Sequence, residues 1–166
     1  MKRRFWLFYL LRLVWRARRP SLVSDMPALP AGFLIRRGYD AVTFFGAILV
    51  HNIKEADAMN RRLTALKNHE LIHLRQALST DDSWWRFYRL YLRYWWQGWQ
   101  QRKHFPNAAY RLNPFEMEAY AHMHDLHYLD HCRNGATEWK QYARMTLEER
   151  LHLLRHPVLS KEVNQT

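Results

Sequence analysis

The stretch Lys67 to Leu78 reads KNHELIHLRQAL and carries a His-Glu-x-x-His pattern at His69, Glu70 and His73. In an α-helix, residues four apart lie on one face, so His69 and His73 can present two imidazole nitrogens to one metal ion without bending the backbone. Glu70 then projects beside that ion, where its carboxylate can take a proton from a bound water. Zinc suits this chemistry: it accepts nitrogen and oxygen ligands, keeps one position open in catalytic sites and lowers the pKa of its water to about 7. The plainer reading is two solvated histidines on a helix surface, in a chain that has 10 histidines. Two histidines do not complete a site, so a third protein ligand has to come from another element.

The segment NPFEMEAYAH, beginning at Asn113, offers that ligand in Glu116 or Glu118. These two lie about 200° apart around a helix, so they cannot both face one ion. Glu116 has a further use, because its place three residues after Asn113 makes a capping box. Gln76, seven residues after His69, shares the histidine face and could hydrogen-bond a ligand. Tyr120 and Arg111 could polarise a substrate carbonyl. His127 and His131 form another four-apart pair with His122 and His124 nearby, but no motif frames them.

Around these residues the chain reads as mainly helical. Asn52 with Glu55 is a capping box, and apolar spacing through Ala58, Met59, Leu63, Leu66 and Ile72 predicts one helix from there to about Leu78. STDD at Ser79 to Asp82 ends it and caps a second helix over Ser83 to Lys103. In that helix Trp85, Tyr88, Leu92, Trp95 and Trp99 keep a three-four spacing beside Arg86, Arg89 and Arg93, and Trp84, Phe87, Tyr91 and Tyr94 make the other flank aromatic too. Asn113 caps a third helix with Pro114 at its first position, and Arg133 to Gly135 stops it. Thr146 with Glu149 opens a short last helix before Pro157. Upstream, Ser21 to Ala31 reads as a linker, and Phe33 to Arg36 and Ala41 to Val50 read as two β-rich runs joined by the turn RGYD. The expectation is an α+β fold, mainly α, with a small antiparallel β-sheet: a basic N-terminal helix over 1–20, one domain over 32–157, and a frayed tail over 158–166.

A chain of 166 residues carrying a formal charge of +11 suits a single domain whose partner is acidic, either nucleic acid or an anionic membrane face. Aromatic residues at 15%, with 8 tryptophans, favour the membrane interface. One cysteine, Cys132, excludes an intramolecular disulfide and reads as a small buried side chain in a reducing compartment. The N-terminus, MKRRFWLFYLLRLVWRARRP, starts like a signal peptide. Arg12 interrupts its apolar run, however, and RARRP stands where small residues would precede a cleavage site. The run is also shorter than the roughly 20 apolar residues a membrane span needs. Seven basic residues and no acidic one between Lys2 and Arg19 describe a helix lying in the membrane interface, or one packed on the domain with its arginines exposed. The expected location is cytoplasmic, peripheral at the inner membrane.

HELIH followed by a helix with NPFEMEAY resembles the gluzincin side of the zincin metallopeptidases. More narrowly, HELIHLRQ, an aromatic helix and NPFEMEAYAH together are similar to a family of small uncharacterised bacterial proteins with an HExxH helix and an FExEAY-type motif, over about Ala41 to His131. The resemblance implies a minimal zincin-like core, zinc on His69, His73 and Glu116, and Glu70 as general base. It also implies a peptide or protein substrate, which would add as an extended strand along the edge of the Ala41 to Val50 run. Tyr120 stands where related enzymes carry an aspartate that supports a ligand histidine. A reading from another class keeps the metal and drops catalysis, leaving a membrane-associated metal-binding or partner-binding scaffold. The short β portion favours it. Nucleic-acid binding through the basic patches is a third reading, and it predicts affinity that falls steeply with salt.

Overall fold

The computed structural model describes residues 19–35, 38–103 and 105–155. Residues 1–18 and 156–166, which include nearly all of the expected N-terminal helix and the tail, lie outside the described residues. The architecture is mainly helical with one small mixed sheet.

Three strands form the sheet: β1 (Ala28–Pro30), β2 (Ala41–Phe44) and β3 (Ala47–Val50). β3 is central, parallel to β1 on one side and antiparallel to β2 on the other. Its sequence AILV is buried at every position, as befits a strand paired on both edges and covered on both faces. The sheet is therefore mixed, where a purely antiparallel pair was expected. The single run Ala41 to Val50 folds back on itself at Phe45 and Gly46, both at positive φ (43° and 82°), the conformation that tight hairpins prefer. Phe45 tolerates it because its ring packs on Trp84, Trp85 and Tyr88 and its N–H donates to the Tyr88 hydroxyl at 2.9 Å.

Over Phe33 to Ile35 the expected strand does not form, Arg36 lying outside the described residues; Gly32 to Leu34 make a turn closed by Leu34 N donating to Ala31 O. The parallel strand comes instead from the stretch read as a linker. Two prolines argue against a central strand there, but β1 is an edge, where proline is allowed. Asn60 covers that edge, accepting from Ala28 N at 2.8 Å and donating to Ala28 O at 3.0 Å. Upstream of residue 32 the chain also packs on the domain, where the 3-10 turn Pro20–Leu22 contacts the helix Ala65–Leu78.

The helix expected from Asn52 to Leu78 is two helices, α1 (Ile53–Arg61) and α2 (Ala65–Leu78). Arg62 is extended, and Thr64 caps α2 by accepting from Lys67 N at 3.1 Å. The apolar spacing of Met59, Leu63 and Leu66 runs through the break in phase, which hides it. α3 (Trp84–Trp99), capped by Ser83, is followed by α4 (Ala108–Arg111) and α5 (Pro114–His122), capped by Asn113. α5 stops well short of Arg133. The Asn68 side-chain amide donates to the carbonyls of His122, Met123 and Asp125, satisfying the helix end from a neighbouring helix. After a 3-10 turn at Tyr128–His131 come α6 (Trp139–Arg144), which the sequence reading did not foresee, and α7 (Leu147–Arg155), opened by the Thr146 and Glu149 capping box.

The main core gathers Met26, Ile48 of β3, Trp84 and Phe87 of α3, Phe115 of α5 and Trp139 of α6. α2 runs through the middle, packed on β2, α3 and α5. Nine of its 14 residues are buried, among them Asn68, His69, Glu70, His73 and Gln76. Polar side chains on a central helix need partners, because an unpaired buried polar group costs about 1–3 kcal/mol. Those partners build the site.

Candidate metal centre

α2 and α5 bring His69, His73 and Glu116 together, each at most 5% exposed. His69 Nε2 lies 3.2 Å from His73 Nε2 and 3.2 Å from Glu116 Oε2, and His73 Nε2 lies 3.4 Å from Glu116 Oε1. This buried group could hold a metal ion, and it is the sole such cluster among the described residues. Glu116 Oε1 accepts from the Tyr91 hydroxyl at 2.6 Å, whereas Oε2 is buried with no hydrogen-bond donor. A carboxylate oxygen left bare beside two imidazoles is what a cation-binding position requires.

Gln76 fixes His73. Its amide nitrogen faces two acceptors, Phe115 O at 2.9 Å and Glu118 Oε2 at 2.6 Å, so its oxygen must be the atom 2.7 Å from His73 Nδ1. An oxygen accepts only if Nδ1 carries the proton. In the neutral ring, the form a metal binds, the lone pair is then on Nε2 of His73 and aimed at the cluster.

Glu118 stands outside the metal group. Its Oε2 takes the Gln76 amide, and its Oε1 accepts from the Tyr128 hydroxyl and Glu138 N, each at 2.8 Å. Between the two glutamates, Glu116 faces the histidines and Glu118 anchors the amide behind them. Burial raises the pKa of Glu118, partly offset by these donors. For Glu116, burial alone would do the same, but His73 and His69 hold its carboxyl far below the usual range. For His73, burial would lower the pKa, and the Glu116 carboxylate outweighs it and raises it.

Glu70, 4% exposed, accepts from Thr43 Oγ1 of β2 at 2.6 Å through its Oε2. Its other oxygen has no partner among the described residues. Glu70 and His69 line a cleft of about 730 Å³ walled by Asp40, Trp95, Trp99, Tyr110, Arg111 and Tyr120. Tyr120 sets its ring edge-on against His69, with centroids 4.8 Å apart, and its hydroxyl meets that of Tyr110 at 3.5 Å. It does not replace an aspartate as a hydrogen-bond acceptor, since His69 Nδ1 is buried without a partner. Arg111 reaches the same cleft.

His122, His124, His127 and His131 do not assemble into a second site. His127 is exposed and pairs with Asp130 at 3.1 Å, His124 and His131 are exposed, and His122 bonds Glu138 at 2.7 Å while stacking on Tyr128. Two site residues escaped the sequence reading. Tyr91 lay in the aromatic flank of α3, and Thr43 is an ordinary strand residue with no signal at all. Cys132 is buried. No helix among the described residues is long and apolar enough to cross a membrane.

No family model, curated protein or solved structure matches this chain.

Proposed function

We propose that the protein is a zinc-dependent metallopeptidase, with zinc held by His69, His73 and Glu116. The observation that carries this reading is the close approach of the ligand atoms. His69 Nε2 lies 3.2 Å from both His73 Nε2 and Glu116 Oε2, close to the ligand-to-ligand spacing of about 3.3–3.4 Å in a tetrahedral site with bonds of about 2.0–2.1 Å, and one ligand atom from each of the three residues lies within 4.8 Å of the others. When bound, the ion would act as a Lewis acid and lower the pKa of water to about 7.

The chain's own residues supply the rest. Thr43 pins one oxygen of Glu70, so Glu70 Oε1 is left to take the proton of the attacking water and deliver it to the departing amine nitrogen. Tyr91 and Gln76 keep Glu116 and His73 from turning away. The hairpin register supports substrate addition at β2. The Phe44 and Ala47 pair closes the turn, so Val42 and Phe44 direct their backbone groups to β3 while Ala41 and Thr43 direct theirs to the open edge. Thr43 O is taken by the Tyr88 hydroxyl at 3.2 Å. Ala41 N–H, Ala41 O and Thr43 N–H remain for an extended peptide.

Metal content by mass spectrometry tests this on wild type beside His73→Ala and Glu116→Ala. About one zinc per chain, lost in both variants, is the expected result. Glu70→Gln should keep the zinc and lose peptide hydrolysis by at least about 100-fold. Hydrolysis that survives Glu70→Gln would remove the assignment of the base. A metal-binding scaffold without catalysis is the second reading, favoured by strands of only three or four residues, which offer a short substrate platform. It predicts zinc in the wild type with no hydrolysis in any variant.

A further inference from the structure

α3 divides its aromatic residues between two faces. Trp84 and Phe87 are buried, and Tyr88, Tyr91 and Tyr94 pack against the core. On the opposite side Trp85, Leu92 and Trp96 are 72%, 62% and 54% exposed. Arg89 and Arg93, also exposed, fall between them at three- and four-residue intervals, so the five side chains form one stripe. The helix contains no acidic residue. Arg86 is engaged by Asp81, but no hydrogen bond or ion pair holds Arg89 or Arg93 among the described residues.

We propose that this stripe docks the domain on an anionic bilayer surface, with Trp85, Leu92 and Trp96 at the headgroup boundary and Arg89 and Arg93 on lipid phosphates. Indole and leucine beside arginine are the side chains that gain most there, since the rings bury apolar area while the guanidinium groups stay in the polar layer. Charge excludes other occupants. The chain's own residues 2–19 hold seven basic and no acidic residues, so laying them on the stripe would set arginine against arginine. A second copy meeting face to face would do the same. A nucleic-acid backbone would reward the arginines and leave the Trp-Leu-Trp ridge in water. Trp96 is poorly placed to stack on a base, because Trp99 already stacks on one of its faces at 4.9 Å. The basic N-terminal segment joins the domain at the same end of the helix. There the Ser21 N–H and hydroxyl donate to the Asp82 carboxylate at 2.7 and 2.5 Å, and Leu22 is exposed. Both basic regions can then face one surface.

Flotation of the full chain with phosphatidylcholine vesicles, with and without 30% phosphatidylglycerol (about a third, chosen to mimic an anionic leaflet), tests the docking. Binding should require the anionic lipid. Each arginine near such a surface is worth about a fivefold change in affinity, so Arg89→Gln with Arg93→Gln should weaken binding roughly 20- to 30-fold. Trp85→Ser, Leu92→Ser and Trp96→Ser together should weaken it further. Arg89 and Arg93 are exposed and have no ion pair among the described residues, so the double glutamine variant should keep the wild-type melting temperature; Trp85→Ser and Trp96→Ser also give up ring contacts with Phe45 and Trp99, so the triple serine variant is compared only where circular dichroism shows it folded. An environment-sensitive dye on Leu92→Cys should shift to the blue on anionic vesicles. A dye that stays in water while the protein floats would overturn the proposal, because the N-terminal segment would then carry the binding. Tighter binding to a single- or double-stranded oligonucleotide, weakened by the same variants, would overturn it in favour of nucleic acid.

Discussion

Gln76→Met tests whether the orientation of His73 is set from behind. The substitution keeps the approximate size of a side chain that is 0% exposed, and it removes three contacts at once. His73 Nδ1 loses its acceptor at 2.7 Å, Phe115 O its donor at 2.9 Å, and Glu118 Oε2 its donor at 2.6 Å. Each stranded buried group costs about 1–3 kcal/mol, and the losses share one cavity, so they sum to less than three independent terms. Glu118 recovers part, because Tyr128 and Glu138 N still hold its other oxygen. A net destabilisation of about 3 kcal/mol follows. Zinc affinity should fall by about 10- to 100-fold, as is usual when a ligand histidine loses its outer partner. Competition with a chelator of known affinity reads the second quantity and thermal melting of the metal-free protein the first. Glu118→Gln separates the two roles. Its single carboxamide oxygen cannot accept both from Gln76 and from Tyr128 and Glu138 N, so it should cost stability too, but Gln76 stays in place to hold His73 and zinc affinity should change much less than in Gln76→Met. A folded Gln76→Met protein that binds zinc within about twofold of wild type would refute the idea that the amide holds the ring.

Zinc itself should raise the melting temperature. At about 100 times the dissociation constant the stabilisation is about 2.7 kcal/mol, or roughly 5–10 °C for a domain of this size, reversed by chelator and absent in His73→Ala. Tyr91→Phe removes only the hydroxyl bonded to Glu116 Oε1 at 2.6 Å. It should cost about 1.5–3 kcal/mol of stability and weaken zinc binding measurably in the same chelator competition. Gly98→Ala would normally favour a helix, but here the added Cβ would come within 2.5 Å of Ala108 O and 2.9 Å of Ala109 Cα. Denaturant melts should show a loss of about 1–3 kcal/mol, because α3 and α4 are pushed apart.

The parts of this fold that were legible in the sequence are those encoded within a few residues. Asn52 with Glu55 and Thr146 with Glu149 announced their helix starts, and His69 and His73 needed only the helical repeat to be brought together. What stayed hidden depends on residues far apart. The end of α5 is set by Asn68, more than fifty positions upstream. β1 forms because β3 needs a second edge partner, and no local pattern in ALP says so. The break between α1 and α2 was masked because Leu63 and Leu66 keep the apolar phase across it. The choice between Glu116 and Glu118 shows the same limit. Both are buried glutamates on one short helix, and only their neighbours, Tyr91 and the histidines for one and Gln76, Tyr128 and Glu138 for the other, distinguish them.

A buried polar network that serves folding alone tends to satisfy every member, since each omission costs stability. The network around α2 is satisfied on one side only. Thr43 holds Oε2 of Glu70 and Tyr91 holds Oε1 of Glu116, while Gln76 holds Nδ1 of His73. Glu116 Oε2 is left without a donor, and it and His73 Nε2 each lie 3.2 Å from His69 Nε2. Half-satisfied groups held from behind and meeting in front are what preorganisation for an ion demands, because the ligands cannot swing away to find other partners. His69 is the exception. Its Nδ1 has no partner, so the Tyr120 ring at 4.8 Å is the main restraint on its orientation. His69 is thus restrained by ring packing, whereas Gln76, itself anchored by Glu118, holds His73 by a hydrogen bond.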